Sequence, residues 1–177
     1  MDEALDSAGL ALCCAAAIRL GGAVQVLTAR SGLIDHSSPI MAGLENIMVS
    51  LDGRGFDDDL LGDAFAESWS LDRRYPAGLP GHAFVRGWSI LVFGTVALTR
   101  PSQQDIVAAQ TLDFASEATA AWPSAVRIGP FATLARFEAA CRQEAEDRLR
   151  ENGLPALRQV TEDRSESYRQ VAEQLVG

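Results

Sequence analysis

The apolar positions of this chain predict helices at both ends and strands between them. From Leu5 to Leu20 apolar residues and alanines crowd at helical density, and Gly21-Gly22 follows as a helix stop. Ala23 to Ala29 (AVQVLTA) is rich in strand-forming residues and predicts a strand. After a turn at Ser31-Gly32, Leu33 to His36 predicts a second, short strand. Ser38 as cap and Pro39 at the first helical position open a helix to about Ser50, with Ile40, Leu44, Ile47 and Met48 inward. Asp57-Asp58-Asp59 fits a solvated loop or a helix N-terminus, and Leu60 to Glu67 a short helix. Ser70 to Gly87, with its prolines and glycines, reads as loop. Trp88 to Thr99 (WSILVFGTVALT) carries the strongest strand signal, with Gly94 marking a bulge or hairpin bend. Ser102 to Asp105 resembles a capping box, and the helix it opens ends at Trp122 before Pro123.

Beyond Pro130 the pattern is helical throughout. Phe131, Leu134, Phe137, Cys141, Ala145 and Leu149 form one stripe. Asn152-Gly153 marks a stop, Pro155 starts a second helix carrying Leu157 and Val160, and Ser165 caps a third with Tyr168, Val171, Ala172 and Leu175 inward. The fold class expected from this order is α+β: an antiparallel sheet flanked by helices over 1–122, a linker over 123–130, and a three-helix bundle over 131–177. So small a bundle needs to dock on the first domain or dimerise. The first helix and the one ending at Trp122 are alanine-rich (Ala15, Ala16, Ala17; Ala115, Ala118, Ala120, Ala121), and paired across a two-fold axis they predict a homodimer seam.

Composition narrows the function classes. The net charge is −9, and every basic side chain is Arg. Overall acidity disfavours non-specific polyanion binding, which needs clustered cations. No uninterrupted apolar run reaches the roughly 20 residues of a membrane span, and Asp2, Glu3 and Asp6 stand where a signal peptide carries positive charge. The expectation is a complete cytoplasmic protein with no membrane partner. Cys13 and Cys14 are adjacent and Cys141 is remote, while His36 and His82 lack a paired carboxylate at a recognisable spacing. That predicts no metal site, no cofactor and no nucleophilic dyad.

Ser37-Ser38, Leu44-Glu45, Leu51-x-Gly53-x-Gly55 and Asp63-Ala64-Phe65 together resemble the first half of actinobacterial GAF domains. Gly94 to Arg100, Gln104-Asp105-Ile106 and Ala109 to Leu112 resemble their closing strand and helix. Leu157-Arg158, Thr161, Tyr168-Arg169, Val171-Ala172 and Leu175-Val176 resemble the end of an ANTAR domain. In this order the motifs are similar to those of GAF–ANTAR transcription antitermination regulators. The resemblance implies a dimeric sensor of an unknown small molecule, coupled to a tail that binds paired RNA hairpins. The first tail helix departs from the family, with Phe137-Glu138-Ala139-Ala140-Cys141-Arg142 where Ile-Glu-Gln-Ala-Lys-Gly is usual. The tail also carries seven Arg against nine acidic residues.

Two functions follow. In the first, the chain is an antitermination regulator that contacts RNA phosphates through Arg136, Arg142, Arg158, Arg164 and Arg169, unless these Arg instead form surface ion pairs with the abundant Glu. In the second, it is a dimeric ligand- or protein-binding module whose tail no longer binds RNA. A GAF-type pocket would draw on Trp69, Tyr75, His82, Phe84 and Trp88, aromatics that serve a core equally well. Some GAF-fold proteins reduce methionine sulfoxide through loop cysteines. Cys13 and Cys14 lie in the first helix and do not match, so no enzyme is expected.

Overall fold

The computed structural model describes residues 7–100 and 107–177, and they form a helical bundle. Six helices follow in order: α1 Ser7–Arg30, α2 Ile34–Ser50, α3 Asp58–Arg74, α4 His82–Ala97, α5 Ala108–Ala120 and α6 Leu134–Val176. No strand occurs among the described residues, and one isolated bridge joins Ile128 and Phe131. The α+β sheet, and with it the GAF-like domain, is therefore corrected to an all-α fold. The capping box expected at Ser102–Asp105 lies outside the described residues.

The strand expected at Ala23–Ala29 is the second half of α1, and Gly21-Gly22 lies inside that helix. These glycines permit close approach. A Cβ on Gly21 would strike the Met41 side chain, and one on Gly22 would strike the Ser165 carbonyl oxygen. α1 is the central helix and touches α2, α4, α5 and α6. Its length and apolarity match a membrane span, and 78% of its most apolar window is buried inside the bundle.

The second expected strand, Leu33–His36, is the start of α2. Leu33 N–H donates to the Thr28 carbonyl over 2.7 Å, and the Thr28 and Ser37 hydroxyls lie 2.7 Å apart. These contacts extend α2 a turn ahead of Pro39, which sits inside the helix. Asp57 caps α3 by accepting from the Asp59 and Leu60 N–H groups at 3.1 Å, the helix N-terminus expected of the acidic run. The expected loop from Ser70 to Gly87 is helical at both ends, within α3 and α4.

Trp88–Thr99 is not a strand; all but its last two residues belong to α4. Phe84, Trp88, Leu91, Val92 and Thr95 are buried at helical spacing. A continuous apolar run of this kind has no period that separates strand from buried helix. Gly94 marks a helix–helix crossing, since a Cβ there would lie 2.8 Å from Thr111 Cγ2 of α5.

The tail is a helical hairpin, not three helices. Gly153 (φ 73°, ψ −165°) interrupts α6, a conformation that favours glycine. A straight helix would separate residues 138 and 168 by about 45 Å, yet their side chains are hydrogen-bonded. Arg164 likewise reaches back to Glu144 over 2.8 Å. Ser165, expected as a cap, is mid-helix and lies against Gly22. The hairpin packs along α1, and one hydrophobic core runs from Leu10 to Ala172.

The hairpin is pinned to α1 by a buried polar node. Arg19 Nε donates to Glu138 Oε2 over 3.0 Å, and Arg19 Nη2 donates to Glu138 Oε1. The Tyr168 hydroxyl donates to Glu138 Oε2 over 2.6 Å. All three residues are at most 2% exposed. Burial works against the Arg19 charge, but the Glu138 charge and hydrogen bonds outweigh it and hold the guanidinium pKa above its ordinary value. Burial, then the Glu138 charge, pushes the Tyr168 phenol well up.

Candidate functional site: an aromatic groove between α3 and α4

α3 and α4 pack side by side, joined by residues 75–81, and leave a groove along their outer face. Ser68, Trp69 and Asp72 line it from α3, and Ser89, Ile90 and Phe93 from α4. These positions recur at three- and four-residue intervals, so each helix presents one stripe. The groove encloses about 250 Å³. Two of its lining residues are aromatic: Trp69 meets Phe93 edge-on at 5.6 Å, and Phe65 packs against Phe93 with ring centroids 4.9 Å apart. Trp69 is 47% exposed and Ile90 38%, an accessible apolar surface in a charged chain.

Four Arg surround the groove, and one carboxylate, Asp72, lines it. The Arg73 guanidinium lies 5.8 Å from the Trp69 ring centroid, and that of Arg100 5.5 Å from the Phe65 centroid. Arg86 faces Asp72 across the groove at 3.6 Å and is largely exposed, and Arg74 lines the adjoining hollow with Arg73. Four of the 15 Arg thus cluster on one face of a chain of net charge −9.

Of the five aromatics expected to line a pocket, the structure brings only Trp69 into this groove. Tyr75 is buried, donates to the Pro80 carbonyl over 3.0 Å and stacks on His82; burial raises its pKa. Phe84 is buried edge-on against Trp122. Trp88 is buried, and its indole N–H donates to the Ala17 carbonyl over 2.7 Å. These four staple the bundle together. A strand over Trp88–Thr99 sets Ile90 and Phe93 on opposite faces, and a loop over Ser70–Gly87 leaves Arg73 and Arg86 without a common face, so the groove has no counterpart in the sequence reading.

The five tail Arg do not form a free basic face. Arg142 pairs with Asp113 and Glu146, Arg158 with Asp52, Arg164 with Glu144, and Arg169 with Glu166. Arg158 also donates to the Met48 carbonyl over 2.7 Å. Arg136 is exposed on α6 and makes no ion pair among the described residues.

Of the alanines expected at a dimer seam, Ala15, Ala16 and Ala17 are fully buried within the chain and Ala115 and Ala118 are 1% exposed, while Ala120 and Ala121 are exposed. Cys13, Cys14 and Cys141 are buried, and the Cys14 thiol donates to the Leu44 carbonyl. Burial, reinforced by Cys13, raises the Cys14 thiol, and burial pushes Cys141 up to about 12. Thiols so held stay protonated and are poor nucleophiles. Among the described residues no three His, Cys, Asp or Glu side chains converge as a metal site. His36 Nδ1 instead meets Glu67 at 2.6 Å, a tie between α2 and α3. Compared with protein-family models, with curated proteins and with solved structures, the chain matches none.

Proposed function

We propose that this chain is a helical protein-interaction module whose α3–α4 groove takes up an amphipathic helix of a partner protein, with a large apolar side chain as anchor and acidic residues flanking it. The observation that carries this reading is the exposed Trp69 and Ile90 beside Phe93, with Arg73, Arg74 and Arg100 around them and Arg86 held by Asp72. Two neighbouring helices with an apolar trough between them offer the geometry that helix-in-groove recognition uses. Trp and Arg are the residue types that concentrate binding energy at interfaces. The Arg around the groove select the charge of the partner, because complementary charge raises the encounter rate and like charge rejects wrong partners. Buried, protonated thiols favour binding over nucleophilic chemistry.

The RNA reading is left with Arg136 alone among its five residues, since the other four already face carboxylates. A phosphate would have to displace those partners at each site.

The test is a fluorescence titration of the chain with a synthetic amphipathic helix of Leu anchors and Glu flanks, read from Trp69. Saturable binding in the micromolar range, about −8 kcal/mol, is expected, with at least tenfold loss in Ile90→Ser. No saturation, or Ile90→Ser binding as tightly as wild type, would overturn the groove as the site. A gel shift with a two-hairpin RNA tests the other reading. Binding lost in Arg136→Ala but retained in Ile90→Ser would restore it.

A further inference from the structure

The outward face of α3 carries its charge in two opposite blocks. α3 packs against α2 and α4 and turns its remaining side to solvent. Asp58, Asp59 and Asp63 are exposed toward its N-terminus, and Arg73 and Arg74 at its C-terminus. None of these makes an ion pair among the described residues. Between the blocks stands Trp69, 47% exposed. Acidic first turns and basic last turns suit the dipole of any helix, so the charges alone do not call for a partner.

Gly62, on the same face, supplies an independent observation. Gly21, Gly22, Gly43, Gly87 and Gly94 all lie inside helices, and a Cβ on any of them would come closer than 3.0 Å to an atom of a neighbouring helix. In this fold such a glycine marks a contact between helices. A Cβ on Gly62 would meet nothing within 4 Å among the described residues, and its φ is not positive. A glycine in an exposed helix interior costs about 1 kcal/mol against alanine. Nothing inside the chain offsets that cost, and a helix approaching from outside would.

We propose that this face docks a second copy of the chain, the two α3 helices running antiparallel across a two-fold axis at Ala66. Residues 59, 62, 66, 70 and 73 fall on one helical stripe that is symmetric about residue 66. The two-fold therefore sets Asp59 against the partner's Arg73, Asp58 against the partner's Arg74, and Gly62 against the partner's Ser70. Each acidic end meets a basic end, whereas a parallel pairing sets like on like and is rejected. Gly62, Ala66 and Ser70 allow the axes to approach to about 8 Å, and Trp69 beside them supplies apolar contact area. The contact is that of one helix pair, 17 residues long in each copy, so the dimer is weak and depends on concentration. Trp69 and Arg73 also serve the α3–α4 groove, so a second copy and a partner helix exclude each other. The dimer does not depend on the groove reading, and its test involves no peptide.

The experiment is sedimentation velocity of the full chain over concentrations of about 10 µM to 1 mM, the range of weak association. Wild type is expected to pass from monomer to dimer. Asp58→Arg/Asp59→Arg makes both ends of the face basic, Arg73→Asp/Arg74→Asp makes both acidic, and each alone should dimerise at least tenfold more weakly. An equimolar mixture of the two should form a mixed dimer at least tenfold tighter than either alone, which no loss of stability within one chain can imitate. Gly62→Gln should weaken the wild-type dimer at least tenfold, while its thermal midpoint by circular dichroism is not lowered, since the new side chain displaces no neighbour in its own chain. A wild type that is monomeric at the highest concentration, a dimer that Gly62→Gln leaves intact, or a mixture no more dimeric than its components would overturn the proposal.

Discussion

Replacing Arg19 with Met tests the buried node most sharply. The substitution keeps an unbranched apolar stem in α1 and removes both donors to Glu138. The carboxylate then lies 1% exposed with Tyr168 as its remaining partner. Breaking a buried ion pair from one side costs about 3–5 kcal/mol, because the surviving charge is uncompensated. Against a typical total stability of about 5–15 kcal/mol, Arg19→Met should be folded at low temperature and marginal on warming. The double variant Arg19→Met/Glu138→Leu removes both charges and fills the space with carbon, and such replacements are often close to neutral. Tyr168→Phe removes one hydrogen bond to a charged acceptor and should cost about 1.5–3 kcal/mol. The assay is urea unfolding followed by circular dichroism. With a slope of about 2 kcal/mol/M, the single variant should lower the midpoint by about 2 M. A loss below 1 kcal/mol in Arg19→Met, or a double variant as unstable as the two single changes combined, would refute the reasoning.

Three further outcomes are expected. The Cys141 thiol is raised by burial from its ordinary 9.0 to about 12, so the unfolded chain releases this proton first as pH rises. The resulting stability is complete below about pH 9 and is lost between pH 9 and 12. Urea midpoints across that range should fall less steeply in Cys141→Ala. Ala118→Glu places a charge where Ala118 meets Gly87 of α4. It should lower the thermal midpoint by well over 5 °C, whereas a seam between copies predicts a folded monomer in analytical ultracentrifugation. Gly22→Ala forces a Cβ onto the Ser165 carbonyl oxygen. It should cost about 1–3 kcal/mol by urea unfolding, although alanine favours helix there.

The tail was the legible part of the sequence. Its apolar stripe is sparse and regular, so Leu134, Phe137, Cys141, Leu157, Tyr168 and Val171 could be assigned inward, as they are found. Asn152-Gly153 marked the place where the hairpin turns. Within the first hundred residues the second half of α1 and α4 were illegible for a definite reason. α1 is apolar on nearly every side because it is covered on nearly every side, and the face α4 leaves open is itself apolar at Ile90, so both runs lack the one-sided period that identifies a helix. Gly21, Gly22 and Gly94 then looked like punctuation, when they are contact points between helices. The groove was hidden by the same error, since Trp69 is recognisable alone while Ile90 and Phe93 join it only once α4 is helical. The pairing of Arg19 with Glu138, 119 positions apart, leaves no local trace in the sequence.

Charge reversal at the groove rim tests the central claim most directly. Two synthetic amphipathic helices with identical Leu anchors, one flanked by Glu and one by Lys, are titrated against wild type and against Arg73→Glu/Arg86→Glu, at low and at physiological salt. Both substitutions lie at exposed positions and leave the lining aromatics intact. Wild type should prefer the Glu-flanked helix by about tenfold at low salt, less so at higher salt, and the double variant should invert that preference. Equal affinity of wild type for the two peptides, or an unchanged preference in the double variant, would contradict the account.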